Sequence, residues 1–139
     1  MKSSPDDESE ASSQPRAIVA GHGDFPDGMV SAVEQISGRG GVFIALSNKG
    51  LSGQDIDTRL RETARQFGVN VFFTDLPGGS ATFAIRRMMH DMPDVVLVTG
   101  TNLATLLEFV FQDKSISPAD AARRSAEKGR ASLAAYGRE

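Results

Sequence analysis

The sequence predicts an α/β fold, a doubly wound, mostly parallel sheet with helices on both faces. Three observations carry this. Short apolar runs such as Ala17-Ile18-Val19-Ala20 and Val42-Phe43-Ile44-Ala45-Leu46 are continuous rather than alternating, as in strands buried on both faces. Most of these runs are followed by apolar residues at three- and four-residue spacing, the helical period. Glycine or proline punctuates the segments. Strand and helix therefore alternate, which is the pattern of a parallel sheet with right-handed crossovers.

Taken in order, Ala17 to Ala20 reads as the first strand and ends at Gly21-His22-Gly23. A helix follows with Met29, Val33 and Ile36 on one face, and Gly38 stops it. Val42 to Leu46 is the second strand. Ser52, three residues before Asp55, resembles a capping box for a helix with Ile56, Leu60, Ala64 and Phe67 inward, stopped at Gly68. Val69 to Phe73 is the third strand, closed by Thr74-Asp75-Leu76-Pro77-Gly78-Gly79-Ser80. Ser80 is expected to cap a helix running to about His90, its inner face Ala81, Ala84, Ile85 and Met88. Pro93 separates it from the fourth strand, Val95 to Val98. A short helix turns Leu103, Leu106, Leu107 and Val110 inward and leaves Phe109 pointing outward. Ser117-Pro118 starts the last helix, with a small-residue stripe of Ala119, Ala122, Ala126, Gly129, Leu133 and Tyr136.

The strand order is taken as 2-1-3-4, the common solution for a small sheet of this kind. It makes the first and third loops neighbours at the carboxyl ends of the strands, where ligands gather in open α/β sheets.

Composition narrows the function. The chain has 139 residues, no Cys and two His, with a formal net charge of −3. Residues 1–15 set Lys2 against Asp6, Asp7, Glu8 and Glu10 and so hold all of that charge. They lack Val, Ile, Leu and aromatic residues and are expected to be a disordered acidic extension to a domain of residues 16–139. The neutral body lacks the basic stripe of a nucleic-acid binder. Without Cys there is no thiol nucleophile or cysteine-ligated zinc, and no metal or other cofactor is expected. No signal peptide or membrane-length apolar run is present, so the expected location is the cytoplasm.

His22 is the first candidate for chemistry. Two glycines leave its imidazole unobstructed after a buried strand, and neutral imidazole is a good nucleophile near pH 7. A plain turn histidine is the alternative. Asp75 ends the third strand. In a neighbouring loop its carboxylate can hold one ring nitrogen of His22 and leave the other free, the logic by which aspartate orients histidine in a triad. Gly23 frees the turn, and Gly78, Gly79 and Ser80 offer backbone amides at a helix start, which suits an anion. Gly21-x-Gly23 is followed by Gly28, so the dinucleotide fingerprint fails, and Asn48-Lys49-Gly50 is not a P-loop. His90 reads as a helix C-terminal cap, and Arg86 and Arg87 as a solvated face.

Three stretches match a known family. They are Ala17 to Gly23 with Phe25 and Gly28 to Ala32, then Thr74 to Ser80, then Val96 to Leu103 with Leu106-Leu107-Glu108. In these the chain resembles the mannose-family IIA component of the bacterial phosphoenolpyruvate:sugar phosphotransferase system. The resemblance implies a phosphohistidine at His22, oriented by Asp75, with Gly78-Gly79-Ser80 lining the site. It implies phosphate received from the phosphocarrier HPr and passed to a IIB protein, separate here because the chain stops at Glu139. It also implies a homodimer linked to membrane IIC and IID components through IIB. Where the family commonly carries proline, this chain has Ala81 and Ala104. The alternative is a regulatory phosphoacceptor whose state at His22 controls a partner. Further readings are a carrier of the dihydroxyacetone kinase type and a flavodoxin-like domain that binds a small ligand without a covalent step.

Overall fold

The computed structural model describes residues 14–138; all but the last two residues of the expected acidic extension lie outside them. Four strands form one parallel sheet in the order β2-β1-β3-β4, as expected. They are β1 (Ala17–Gly21), β2 (Phe43–Ser47), β3 (Val71–Thr74) and β4 (Val96–Val98). Among the described residues five α-helices accompany them: α1 (Phe25–Ser37), α2 (Gly53–Phe67), α3 (Ser80–Asp91), α4 (Leu103–Phe111) and α5 (Pro118–Ser132).

The pleat divides the core between two layers. Ala17 and Val19 of β1 face one side, with Val33, Phe43, Phe73, Leu106 and Phe109. Ile18 and Ala20 face the other, with Ile56, Leu60, Phe72, Ile85 and Met88. Ala17 to Ala20 are wholly buried, which is why β1 reads as an unbroken apolar run. Ser52 and Ser117 cap α2 and α5 as expected, accepting the amide protons of Asp55 and Asp120 at 3.1 Å each. Arg61 and Arg87 both donate to Asp57, tying α2 to α3, so Arg87 is not merely solvated.

Several expectations need correction. Phe109 does not point outward. It is fully buried, its ring 5.2 Å from that of Phe73 and 5.6 Å from that of Phe43. Short α4 packs against α1 and α5 as well as lying over the sheet, so its buried arc is wider than one stripe. The exposed phenylalanine of this helix is Phe111. Ile36 and Phe67 are exposed, because each follows the last buried residue of its helix, Val33 or Ala64. A 13-residue helix is about 20 Å long and a five-residue strand about 16 Å, so the helix outlasts its cover. The third strand begins at Val71 rather than Val69, and the fourth at Val96. The last helix ends at Ser132, leaving Leu133 and Tyr136 exposed beyond it, and its buried face is Ala121, Ala122, Ser125 and Gly129.

Gly129 permits that packing. A Cβ there would fall inside the contact distance of Thr105 Oγ1 and lie 3.0 Å from Asn102 Oδ1. Asn102 also caps α4 by accepting from the Thr105 amide, and donates to the Gly129 carbonyl at 2.9 Å. Gly129→Ala is expected to cost about 1–3 kcal/mol by overpacking. A urea midpoint equal to the parent's would contradict this.

Candidate functional site

Parallel pairing of β1 with β3 puts Ala20 opposite Thr74. The next residues of each chain, Gly21-His22 and Asp75, therefore emerge side by side at the carboxyl edge of the sheet. Asp75 Oδ2 accepts two hydrogen bonds from His22, one from its backbone amide at 2.8 Å and one at ring Nδ1 at 2.9 Å. The side chain of Asp75 is only 12% exposed, whereas that of His22 is 49% exposed. The pair is thus a sheltered carboxylate beneath an accessible imidazole.

The charge state follows from this geometry. Burial pushes the Asp75 carboxyl up, but the bonds from the His22 amide and ring, with the ring's charge, outweigh it and hold the carboxyl below the usual aspartate range. Asp75 is therefore ionised at neutral pH. An ionised acceptor needs a proton on Nδ1, so in the neutral ring Nε2 carries the free lone pair.

Gly21 has a more specific reason than turn formation. A Cβ there would lie 2.6 Å from the Asp75 carboxyl carbon. The missing side chain is the seat of the carboxylate. Gly21→Ala is expected to displace Asp75 and cost about 1–3 kcal/mol. Unchanged melting together with unchanged His22 ring resonances would count against this. Gly23 does adopt the left-handed conformation, with φ at 53°, which carries the chain sharply into α1.

Gly79 closes the other side of the ring. Its φ is 95°, and a Cβ there would stand 2.8 Å from His22 Cε1 and 3.2 Å from Nε2. Gly79, not Ser80 as expected, occupies the N-cap position of α3, and no side chain caps the helix. Gly79 thus sets the start of α3 beside the Nε2 edge of His22, and a helix N-terminus is a suitable place for an anion. Gly78 lies one residue before, with Phe83 against it.

Sequence reasoning missed the supports of this site. Thr82, buried on α3, donates to the Leu76 carbonyl at 2.7 Å and lies 2.8 Å from the Thr74 hydroxyl, pinning the Asp75 loop. Ser47 donates to the Gly23 carbonyl at 2.7 Å. Asn48 donates its amide proton to the Gly21 carbonyl at 2.9 Å, and its side chain donates to Ser80 Oγ at 3.0 Å. A polar residue directly after a strand, at the same sheet edge as His22, was the available signal for Asn48. His90 lies exposed in the last turn of α3, away from these groups. Among the described residues no three His, Asp or Glu side chains gather as a metal site, and no helix is long and apolar enough to cross a membrane.

Fold and site together define a parallel α/β domain with an oriented, accessible histidine at the end of its central strand. Residues 16–125 match the family model of the PTS system fructose IIA component, and the chain belongs to that family. Membership carries a general role in sugar phosphotransferase chemistry. The phosphotransferase system component EIIA from Streptococcus agalactiae is 25% identical, with a TM-score of 0.69 over 82% of this chain and 93% of that one. The mannose/sorbose-specific IIA subunit from Enterococcus faecalis has a TM-score of 0.74 at 17% identity, over 91% and 97%. The PTS IIA protein associated with the fucose utilization operon of Streptococcus pneumoniae has 0.71 at 21%, over 88% and 93%. These last two likenesses bear on the fold alone. No curated protein matches the chain.

Proposed function

We propose that the protein is a phosphoryl relay, in which Nε2 of His22 takes phosphate from HPr and passes it to a separate IIB protein. The observation that carries this is the pair of hydrogen bonds from His22 to Asp75 Oδ2, which commits Nδ1 and leaves Nε2 free beside the start of α3.

Nε2 attacks the phosphorus of a phosphohistidine donor. The new N–P bond forms as the donor's N–P bond breaks, and the donor ring departs in line. The Nδ1 proton stays between the ring and Asp75, whose carboxylate stabilises the positive charge gathering on the imidazole. Transfer of this kind has a loose transition state, so the protein's task is alignment and charge stabilisation. Gly23 and Gly78 leave the approach open, and the amides around Gly79 and Ser80 receive the phosphoryl oxygens. The step needs no metal.

Docking of partners uses an apolar rim beside the site. Leu76 and Phe83, each about half exposed, flank Gly78. Pro26 is buried, and Phe25 and Leu51 are half-buried against the core. A homodimer is part of this proposal. Its support is the outer edge of β4, which pairs only with β3 among the described residues, and the exposed Leu133, which lines a cleft with Val98 at the end of that strand. A strictly monomeric mass in light scattering at micromolar concentration defeats that part. The protein works in the cytoplasm and reaches membrane IIC and IID components through IIB.

The relay is tested with labelled phosphoenolpyruvate, enzyme I and HPr. The expected product carries acid-labile, base-stable phosphate, with a phosphorus NMR shift of Nε2-phosphohistidine. No label, or acid-stable label, overturns the reading.

A further inference from the structure

We infer that Asn48 is a positioning residue for phosphoryl transfer, acting through the hydroxyl of Ser80. The inference rests on the relay proposed for His22 and adds to it a residue that aims one donor at the transferred group.

Ser80 is the first residue of α3, next to Gly79, whose backbone lies against the Nε2 edge of His22. A serine hydroxyl has one proton to give and lone pairs that accept. Here its oxygen accepts from Nδ2 of Asn48 at 3.0 Å. The hydroxyl proton is therefore not spent on residue 48. It remains available to a phosphoryl oxygen on Nε2, alongside the uncapped amides of α3.

Asn48 is itself held in place. Its backbone amide donates to the carbonyl of Gly21, the residue before His22. The adjacent Ser47 hydroxyl donates to the carbonyl of Gly23, the residue after His22. The end of β2 and the residue after it thus grip the histidine loop on both sides of the nucleophile. Through Asn48 it also reaches across to the start of α3. The same side chain sets both the distance from the histidine loop to the helix start and the polarity of the Ser80 hydroxyl.

Polarity distinguishes this role from packing. Asn48→Asp has nearly the same shape, but a carboxylate accepts where the amide donates. It would draw the Ser80 proton to itself and set a negative charge near the incoming phosphate. Asn48→Ala removes the donor and leaves the hydroxyl free to turn.

The experiment follows transfer from phosphorylated HPr to the full chain at varied HPr concentration. Asn48→Ala is expected to lower kcat about tenfold with KM within about twofold, the loss typical of one misdirected hydrogen bond to a charged group. Asn48→Asp should lose more than Asn48→Ala, with both variants melting close to the parent. In the background of Ser80→Ala, adding Asn48→Ala should cost nothing further, because the hydroxyl it aims is gone. Additive losses in the double variant overturn the inference, as does Asn48→Asp matching the parent. If Asn48→Ala melts below the assay temperature, the isosteric aspartate carries the comparison alone. A parent chain that accepts no phosphate ends both the relay and this inference, whereas a labelled parent with an indifferent Asn48 ends only the inference.

Discussion

His22→Ala is expected to accept no phosphate from HPr, a complete loss and the largest effect of any single substitution in this chain. The acceptor atom itself is removed, and no neighbouring group replaces it. Asp75 is sheltered and committed to hydrogen bonds, and His90 stands exposed at the far end of α3. The fold should survive. The His22 side chain is half exposed, and in the alanine variant the backbone amide of residue 22 still donates to Asp75 Oδ2. A stability change of about 1 kcal/mol or less is expected, the usual net worth of one hydrogen bond. Melting and labelling measured on the same sample separate loss of the nucleophile from loss of the fold. A variant that labels as well as the parent would move the chemistry elsewhere.

Asp75→Asn should slow transfer by about 10²–10³-fold while leaving the sheet intact, the range seen when a preorganised electrostatic partner is removed. Two effects act together. The neutral amide no longer stabilises the charge that gathers on the ring as Nε2 bonds to phosphorus. It can also turn its own N–H toward Nδ1, which favours the tautomer with a proton on Nε2 and blocks the attacking lone pair. Transfer rates as rapid as the parent's would show that orientation by Asp75 is dispensable.

The same substitution has a pH signature. The Asp75 carboxyl titrates below the usual aspartate value in the folded chain. Its bonds therefore contribute stability above the unfolded aspartate value, and that contribution is lost as the pH falls through the depressed folded value. Melting curves from neutral to strongly acidic pH should show the parent's advantage over Asp75→Asn present at neutrality and shrinking in acid. An advantage that grew with acidification would reverse the sign and contradict the ionised pair.

Much of the site was legible because it follows from chain order. His22 and Asp75 each come directly after a strand, and parallel strands send their carboxyl ends to one edge. The family motifs then named the same residues. Less legible were the reasons for the glycines. Gly21 suggested a turn, yet what it supplies is room for the carboxylate of Asp75, far away in the chain. Asn48 and Thr82 were passed over, since a single polar residue in a loop or on a helix carries no periodicity. Their roles exist only once α3, β2 and β3 meet.

Phe109 and Phe67 mark the same division from the apolar side. Helical spacing placed Phe67 on an inward face and Phe109 off it, but Phe109 is buried on every side and Phe67 is exposed. Spacing reports which residues share a face. It does not report how many neighbours cover that face or where the cover ends.

The sequence by itself determined the strand-helix alternation, the burial of β1 on both faces and the placing of His22 and Asp75 at strand ends on one edge of the sheet, because each is written in local pattern and chain direction. Tertiary structure alone decided which glycines make room for which side chains, which nitrogen of His22 is left free, and that Asn48 reaches Ser80. These are contacts between segments distant in the chain, and their geometry is set by how the layers pack.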